Sequence, residues 1–271
     1  MRLLWLTDVH IDHAAPAARA ALHRALAAQR ADALILTGDV ATAKTIAGAL
    51  TELQRAAAAT VYFVLGNHDY YGSGAADERA HHAHAWPKES GVVYLRATNV
   101  ARLSPSTVLI GVDGWADARL GDVAGTRVRL RDSTLIRELR EAAAGSREKL
   151  FEAMRSLADD DAARLHDQLQ HALAGLPPPR RVIVATHVPP FVEACVHQGR
   201  PAGLDYVPFF TCKAIGDVLL ANARARADVQ FDVLCGHTHS FADVNILPNL
   251  RVRVAAAEYE EPAVAGVLIV D

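Results

Sequence analysis

The first part of the chain alternates short apolar runs with alanine-rich segments. Three apolar runs are predicted to be buried strands, at Leu3–Leu6, Ala33–Leu36 and Val61–Leu65. Each is followed by a loop and then by a helical pattern, over residues 15–29, 43–58 and 75–86. Consecutive strand–loop–helix units of this kind are typical of an α/β sheet with parallel strands.

The middle of the chain departs from this alternation. Three apolar runs follow one another without helices, at Val92–Leu95, Val100–Leu103 and Val108–Val112. Short connections favour antiparallel pairing, so we expect the sheet to turn antiparallel there. Residues 115–131, rich in glycine and arginine, indicate a loop, and residues 132–174 have a helical pattern with expected breaks near Gly145 and Asp159. Together they predict a helical insertion around 115–175.

The remainder of the chain returns to shorter elements. We predict a helix over residues 210–226 and five further strands, at 182–185, 231–234, 241–246, 251–256 and 264–270. The pattern as a whole predicts the α/β class.

Composition indicates a globular protein with a sizeable core. Of the 271 residues, 51% are hydrophobic and 22% are charged, which argues against disorder. We expect one domain spanning residues 1–271, because the pattern contains no clear linker. No apolar stretch approaches the length of a membrane-spanning helix, so no membrane partner is expected.

Charge and cysteine content narrow the function further. The formal net charge of −3 argues against a nucleic-acid partner, because polyanion binders usually carry a marked basic excess. The apolar run at Leu3–Leu6 is followed at once by polar residues, so we interpret it as a strand and not as a signal peptide. Three cysteines without metal-type spacing favour a reducing, cytoplasmic location and are expected in or near the core.

Five polar clusters lie directly after predicted strands. They are Asp8-Val9-His10, Gly38-Asp39, Gly66-Asn67-His68-Asp69, Thr186-His187 and Gly236-His237-Thr238-His239. Open α/β sheets bind ligands outside the carboxyl ends of their strands, so we expect these clusters to converge on one crevice.

The side chains in these clusters offer oxygen and nitrogen donors and no thiolate. Aspartate, asparagine and histidine together suit Mn²⁺, Fe or Zn²⁺ in a catalytic centre more than a cysteine-rich structural site. The glycines before Asp39, Asn67 and His237 are expected to let the chain turn sharply and approach the ions closely.

Each cluster alone also has an ordinary structural interpretation. An isolated Asp-x-His is commonly a capped turn, a Gly-Asp pair is commonly a plain turn, and His187 alone would be a core histidine. The alternating pair His237 and His239 is more specific, because such side chains face the same side of an extended segment. Five such clusters in this order leave the ordinary interpretations little room.

Taken together, the clusters resemble the calcineurin-like metallophosphoesterase superfamily. The pattern of that superfamily is Asp-x-His, Gly-Asp, Gly-Asn-His-Asp/Glu, a lone His, then Gly-His-x-His, and every motif is present between residues 8 and 239. The resemblance implies an α/β fold of two packed mixed β-sheets flanked by helices, a four-layer sandwich.

The resemblance also implies a set of metal ligands. Three residues would hold one ion: Asp8, His10 and His239. Three others would hold a second ion: Asn67, His187 and His237. The carboxylate of Asp39 would bridge both. Two such ions, roughly 3.5–4 Å apart, can share a bridging water and lower its pKa to about 7. They can also hold the phosphoryl oxygens for in-line attack.

These features predict a metal-dependent hydrolase of a small phosphomonoester or phosphodiester. His68 cannot easily bind the same ion as its neighbour Asn67 from a tight turn, so we assign it as transition-state donor or general acid. The alternatives are a catalytically silent metal-binding scaffold on the same fold and a metallohydrolase that cleaves a carbon–oxygen or carbon–nitrogen bond.

The sequence departs from one branch of the superfamily. Ser/Thr protein phosphatases carry Gly-Asp-x-x-Asp-Arg-Gly after the second strand, whereas Asp39 is followed here by Val-Ala-Thr-Ala-Lys. Protein phosphatase activity is therefore disfavoured. The missing aspartate leaves Asp12 and Asp69 as candidates to orient His68.

Three further features carry weaker hypotheses. His81, His82 and His84 could hold a third metal, but their spacing lets at most two share a helix face, so a solvated surface is favoured. Residues 197–210 are either an ordinary loop or a substrate-contacting loop. Asp113 and Trp115 have a similar, weaker claim to contact substrate.

Overall fold

The computed structural model describes residues 1–271. The strands are β1 (Arg2–Leu6), β2 (Ala33–Thr37), β3 (Thr60–Val64), β4 (Val92–Tyr94), β5 (Ala101–Arg102), β6 (Thr107–Gly111), β7 (Arg181–Ala185), β8 (Val196–His197), β9 (Arg200–Pro201), β10 (Gln230–Cys235), β11 (Ala242–Leu247), β12 (Leu250–Val254) and β13 (Gly266–Ile269). The α-helices are α1 (Pro16–Gln29), α2 (Ile46–Ala57), α3 (Ala75–His84), α4 (Asp132–Leu135), α5 (Arg137–Gly145), α6 (Arg147–Leu173), α7 (Val207–Phe210) and α8 (Lys213–Ala225).

The strands form two large mixed sheets and a small hairpin. The first sheet has the order β13-β1-β2-β3-β4, with β1 to β4 parallel and β13 antiparallel to β1. The second has the order β11-β12-β10-β7-β6-β5, with four parallel central strands and antiparallel β11 and β5 at its edges. β8 pairs only with β9. The predicted α/β fold with two mixed sheets is confirmed.

The alternation of side chains along the strands explains the layered packing. Leu3 and Trp5 of β1 join an apolar cluster with residues of β6, β7 and β10, which fills the space between the two sheets. Leu4 and Leu6, on the opposite face of the same strand, belong to the larger cluster that includes the helices. In this outer packing α2 contacts β3, α6 contacts β6 and α8 contacts β12.

Two details of the predicted fold are wrong. β4 pairs parallel with β3, so the antiparallel turn occurs only at β5, which pairs with β6. The helix expected to break near Asp159 continues as α6 from Arg147 to Leu173. It continues because Asp161 faces inward, fully buried, and accepts hydrogen bonds from two arginine side chains. The expected break near Gly145 does occur, between α5 and α6.

The insertion and the cysteines lie as predicted from the sequence. Residues 115–131 contain no helix or strand, and α4, α5 and α6 follow them. Ser146 caps α6, because its hydroxyl oxygen accepts a hydrogen bond from Lys149 N at 3.2 Å. Cys195, Cys212 and Cys235 are buried and unpaired. None of the helices has the length and apolar character needed to cross a membrane.

Candidate metal centre

The carboxyl ends of the parallel strands in both sheets carry the predicted site residues. The loops after β1, β2, β3, β7 and β10 carry Asp8 and His10, Asp39, Asn67 and His68, His187, and His237 and His239. Backbone hydrogen bonds join neighbouring loops: His10 N donates to Asp39 O at 3.0 Å, and Gly236 N donates to His187 O at 2.9 Å. His237 N, after β10 of the second sheet, donates to Asp8 Oδ1, after β1 of the first sheet, at 3.1 Å. The loops of both sheets therefore meet at one place.

Four side chains form a first donor group: Asp8, His10, Asp39 and His239. One ligand atom from each lies within 4.8 Å of the others, so the group could hold a metal ion. His239 Nε2 lies 3.3 Å from Asp8 Oδ1 and 3.3 Å from His10 Nε2. Asp39 Oδ2 lies 3.8 Å from His10 Nε2.

A second donor group lies at the other oxygen of the same carboxylate. Asn67 Oδ1 lies 3.0 Å from His187 Nε2 and 3.0 Å from His237 Nδ1. Asp39 Oδ1 lies 3.4 Å from His187 Nε2. The two oxygens of Asp39 therefore face different donor groups.

The spacing of the donor atoms fits metal ions. Two atoms bound to one ion at about 2.0–2.2 Å, with bond angles between octahedral and tetrahedral values, lie about 2.8–3.6 Å apart. The shortest donor pairs are 3.3 Å apart in the first group and 3.0 Å apart in the second. Carboxylate, carboxamide and imidazole donors also suit Mn²⁺, Fe and Zn²⁺.

Backbone carbonyls orient two of the imidazoles. His187 Nδ1 lies 2.8 Å from Thr37 O, and His237 Nε2 lies 2.9 Å from Phe209 O. A carbonyl can only accept, so each of these nitrogens carries a proton and donates it. The opposite nitrogen of each ring faces the donor group, as is usual for metal-binding histidines.

Asn67 is oriented by its amide nitrogen. Asn67 Nδ2 donates hydrogen bonds to Asp132 Oδ1 at 3.0 Å and to Tyr71 OH at 3.3 Å. Tyr71 OH in turn donates to Asp132 Oδ1 at 2.7 Å. These contacts fix the amide so that its oxygen faces His187 and His237.

Burial and neighbouring charges shift the pKa values in opposite directions. Burial alone would raise the pKa of Asp39, but the charges of His187 and His68 bring it well below its usual range. Burial alone would lower the pKa of His187, but the Asp39 carboxylate raises it to about 10. Burial lowers the pKa of His10 and of His237 to about 4. At neutral pH these two imidazoles are therefore neutral, whereas His187 holds an extra proton.

Backbone strain is concentrated at the same residues. Five of the predicted ligands have positive φ: Asp8 (48°), His10 (37°), Asp39 (52°), His237 (72°) and His239 (53°). This left-handed conformation is uncommon for residues other than glycine, and it occurs most often at functional sites. The loops are thus held in a conformation that local propensity disfavours.

Two glycines permit the close approach of the loops. A Cβ atom on Gly66 would lie 2.2 Å from Asp39 Oδ1 and 2.8 Å from His187 Cε1. A Cβ atom on Gly236 would lie 2.1 Å from Asp8 Oδ2. Side chains at these positions would occupy the space of the donor atoms, which agrees with the role predicted for the glycines.

The family model of calcineurin-like phosphoesterases matches residues 1–241 of the chain. The chain belongs to the calcineurin-like phosphoesterase family. Among curated proteins no sequence matches it.

Solved structures confirm the fold of this calcineurin-like phosphoesterase. Phosphopantetheinyl hydrolase (PptH) from Mycobacterium tuberculosis is 17% identical, with 95% of this chain and 89% of that chain covered and a TM-score of 0.63. A dimetal phosphatase from Danio rerio is 13% identical, with 96% and 88% covered and a TM-score of 0.59. The protein TT1561 of Thermus thermophilus is 16% identical, with 94% and 88% covered and a TM-score of 0.51. At these identities the likeness shows the fold alone.

His68 of this calcineurin-like phosphoesterase lies at the mouth of the site. Its side chain is 16% exposed, and its Nε2 atom lies 4.0 Å from Asp39 Oδ2. The ring packs on Tyr71 with 4.3 Å between centroids and contacts the edge of His10 at 4.5 Å. Aromatic packing against Tyr71 and His10 therefore positions the imidazole.

Neither candidate aspartate orients His68. Asp69 is fully buried and accepts hydrogen bonds from Val40 N and Ala41 N, both at 2.9 Å, and from Gly66 N at 2.8 Å. It therefore joins the loops after β2 and β3. Asp12 is exposed, and its side chain accepts a 3.5 Å hydrogen bond from Thr45.

Several residues around the site were not predicted from the sequence. Tyr71 and Asp132 orient Asn67, and the ring of Tyr259 stacks on His10 with 4.6 Å between centroids. Phe209 contributes a backbone carbonyl to His237. Only Phe209 lies in a segment predicted as a possible substrate loop, residues 197–210.

That segment does lie against the site. His197 and Phe210 line the open cleft above the donor groups, and the Phe210 ring lies 5.2 Å from the His237 ring. His197 stacks on Tyr206 with 5.0 Å between centroids. The placement favours the substrate-contacting alternative over the ordinary loop.

Asp113 and Trp115 have different roles from each other. Asp113 is fully buried and accepts hydrogen bonds from the Tyr70 and Tyr94 hydroxyls, both at 2.7 Å, and from Arg79 Nε at 3.2 Å. It is therefore a structural residue. Trp115 is 3% exposed and lines an internal cavity next to the donor groups.

The histidines of α3 do not converge on a third metal site. His81 and His84 are exposed, as expected for a solvated surface. His82 departs from that expectation, because it is 1% exposed and its Nδ1 atom accepts a 3.2 Å hydrogen bond from Trp86 Nε1. The Trp86 side chain covers it, so it is a core residue.

Proposed function

We propose that the chain hydrolyses a phosphate ester, with water as the nucleophile and a pair of metal cations as cofactor. The observation that carries the proposal is the placement of Asp39. Its two carboxylate oxygens face two separate donor groups, 3.8 Å from His10 Nε2 and 3.4 Å from His187 Nε2. A carboxylate placed in this way suits a bridge between two ions, and paired ions are a recurrent device of phosphoester hydrolysis.

The proposed ligands are those of the two donor groups. One cation would be held by Asp8, His10, His239 and Asp39. The other would be held by Asn67, His187, His237 and Asp39. We propose Mn²⁺, Fe or Zn²⁺, because the donors are oxygen and imidazole nitrogen. When bound, such a pair supplies Lewis acidity, which lowers the pKa of water toward neutrality and neutralises phosphoryl charge.

His68 is the proposed proton donor. Its Nε2 atom lies on the Oδ2 side of Asp39, near His10, and its ring faces the open cleft. From there Nε2 would donate a proton or a hydrogen bond to the leaving oxygen as the phosphorus–oxygen bond breaks. Packing on Tyr71 would keep the ring in position during that transfer.

The cleft suits a small phosphorylated substrate. It encloses about 480 Å³, and its walls include Arg131, His13 and Tyr259 beside the donor groups. A guanidinium can pair with phosphate oxygens in bidentate fashion, so Arg131 is the proposed contact for charge that the cations leave unneutralised.

Hydrolysis of p-nitrophenyl phosphate and of bis-p-nitrophenyl phosphate by the Mn²⁺-loaded protein tests the proposal. We expect turnover of at least one compound by the parent protein and none by Asp39→Asn, which should also bind both cations more weakly because it lacks the bridging charge. Metal content measured on the same samples separates the alternatives. Two bound ions without turnover of either ester would identify a silent scaffold, and turnover by Asp39→Asn with two ions bound would overturn the bridging role.

A further inference from the structure

The helical insertion encloses a second, smaller cavity beside the metal centre. It has a volume of about 140 Å³. Its walls come from Val128 and Leu130 of the loop, Leu139 and Ala143 of α5, and Leu150 and Met154 of α6. Trp115, Val188 and Phe209 close it from the side of the sheets.

This cavity borders the open cleft. Four residues line both spaces: Asn67, Leu130, Asp132 and His237. Two of them, Asn67 and His237, belong to the second donor group. A group bound beside these two residues therefore lies next to the cavity.

Ten of the 17 residues that line the cavity are hydrophobic, and polar side chains such as Arg129 and Ser133 also line it. Leu139, Met154, Val188 and Phe209 are each at most 5% exposed. Arg147 also lines it, but its guanidinium lies over the Phe151 and Phe209 rings, and its Nη2 atom donates to Val128 O at 3.2 Å. A cavity of about 150 Å³ is large enough to hold benzene. The volume here suits a phenyl ring or a chain of about four carbons.

The cavity and the proposed proton donor lie on opposite sides of Asp39. Asp39 Oδ2 faces the His10 and His68 side chains at 3.8 and 4.0 Å. Asp39 Oδ1 faces His187, whose Nε2 atom lies 3.0 Å from Asn67 Oδ1, and Asn67 and His237 border the cavity. The substituent whose oxygen His68 protonates leaves into the cleft. A group in the cavity must therefore be one that remains on phosphorus.

We propose that the substrate is a phosphodiester, or a related ester, that retains a small apolar substituent on phosphorus, and that the cavity beneath the insertion binds this substituent. The proposal rests on the proposed function for its reaction. Hydrolysis forms a bond between a water oxygen and phosphorus, breaks the bond to the leaving oxygen, and leaves the apolar group on the phosphate product.

A series of p-nitrophenyl alkyl phosphates tests this with one common leaving group. Methyl, ethyl, butyl and octyl diesters differ only in the substituent that stays on phosphorus. Each methylene buried in the cavity should raise kcat/KM about fourfold. The increase should stop near butyl, where the cavity is filled. Equal kcat/KM for methyl and butyl diesters would overturn the proposal.

Two alanines on α5 provide a matched pair of variants. Ala143 lines the cavity, whereas Ala144 is exposed and does not. Ala143→Phe should fill the cavity and remove the preference for butyl over methyl. Ala144→Phe should keep the parent preference. Met154→Ala, which enlarges the cavity, should move the optimum to a longer chain, and identical preferences in all these proteins would contradict the assignment.

Binding without turnover separates this inference from the proposed function. Calorimetry of the metal-loaded protein with phenylphosphonate and methylphosphonate should show at least about tenfold tighter binding of the phenyl compound. Ala143→Phe should lose that difference. If the preference is present but no ester is hydrolysed, the proposed reaction is wrong and the binding site stands. If esters are hydrolysed and neither phosphonate is preferred, the binding site is wrong and the reaction stands.

Discussion

Asn67 Nδ2 donates a 3.0 Å hydrogen bond to Asp132 Oδ1. The two residues are far apart in sequence, since Asn67 follows β3 and Asp132 is the first residue of α4 in the insertion. The bond fixes which end of the carboxamide faces His187 and His237. A helix of the insertion therefore orients one of the proposed ligands.

We expect Asp132→Ala to lower metal affinity at the second donor group by about 10- to 100-fold, because partners behind a ligand usually contribute that much. Titration of the metal-free protein with Zn²⁺ measures this loss. Asp132→Asn retains an oxygen acceptor and should recover most of the affinity. The exposed neighbour Thr134→Ala is the control and should bind as the parent does. Equal affinity of Asp132→Ala and the parent would show that Asn67 needs no such partner.

Replacing His68 by Asn should lower kcat by about 10²–10⁴-fold, the usual contribution of a general acid. The residue is placed in neither donor group, so both metal ions should remain bound. Parallel measurement of kcat and metal content distinguishes the two effects. Loss of metal in step with activity would instead identify His68 as a ligand.

Metal binding should release a proton at neutral pH. The pKa of His187 is raised to about 10, so the metal-free protein holds a proton on its ring at pH 7, and Nε2 must lose it to bind an ion. Affinity should therefore rise about tenfold per pH unit between pH 7 and 9. Calorimetry in two buffers of different ionisation enthalpy measures the released proton, and pH-independent affinity in this range would contradict the assignment.

The raised pKa of His187 also makes the stability of the metal-free protein depend on pH. Because the folded pKa of His187 lies above the unfolded value of about 6.5, its contribution to stability is complete below that pH and is lost as pH rises toward 10. Urea unfolding of the metal-free protein at pH 6.5 and pH 9 provides the comparison.

A matched pair of glycine substitutions tests whether the position beside Asp39 must lack a side chain. Gly66→Ala would place Cβ 2.2 Å from Asp39 Oδ1, so we expect metal affinity to fall by more than about tenfold. Gly48 lies within α2, and no atom lies within 4 Å of the position that an added methyl group would take, so Gly48→Ala should leave metal binding unchanged. It should also stabilise the helix by about 0.5–1 kcal/mol. Normal metal binding by Gly66→Ala would refute the steric argument.

The buried Arg79 side chain should contribute strongly to stability. It is 9% exposed and contacts Asp113 and Asp161, both fully buried, at 3.2 and 2.7 Å. Arg79→Met leaves Arg96 as the one remaining cation beside those carboxylates and should cost about 3–5 kcal/mol. Arg137, whose side chain is 41% exposed beside Asp77, is the control, and Arg137→Met should unfold at nearly the parent urea concentration. Similar losses in both variants would show that burial of the pair is unimportant.

The convergence of the five clusters could be predicted because of strand direction. Parallel strands place their carboxyl ends at one edge, so motifs such as Gly66-Asn67-His68 and Gly236-His237 indicate a shared site even though they are far apart in sequence. Both sheets have parallel central strands, so the loops of each sheet contribute residues to the donor groups.

The contacts behind the ligands could not be predicted from local sequence. Asp132 begins a short helix without a distinctive motif, and the Phe209 contribution is a backbone carbonyl that any residue could provide. The continuity of α6 was missed for a related reason. The run of three aspartates at 159–161 resembles a loop in the sequence. In the structure Arg79 and Arg96, far away in sequence, pair with Asp161 and allow the helix to continue.

The pairing of β1 with β13 constrains how the protein can be assembled on the ribosome. Trp5 is opposite Gly266 in this pair, so β1 lacks one neighbour until almost the whole of these 271 residues has been synthesised. The loop that carries Asp8 and His10 leaves this half-paired strand. During translation the nascent chain therefore exposes an open strand edge, which is prone to wrong association, and the strand is secured only after its C-terminal partner emerges.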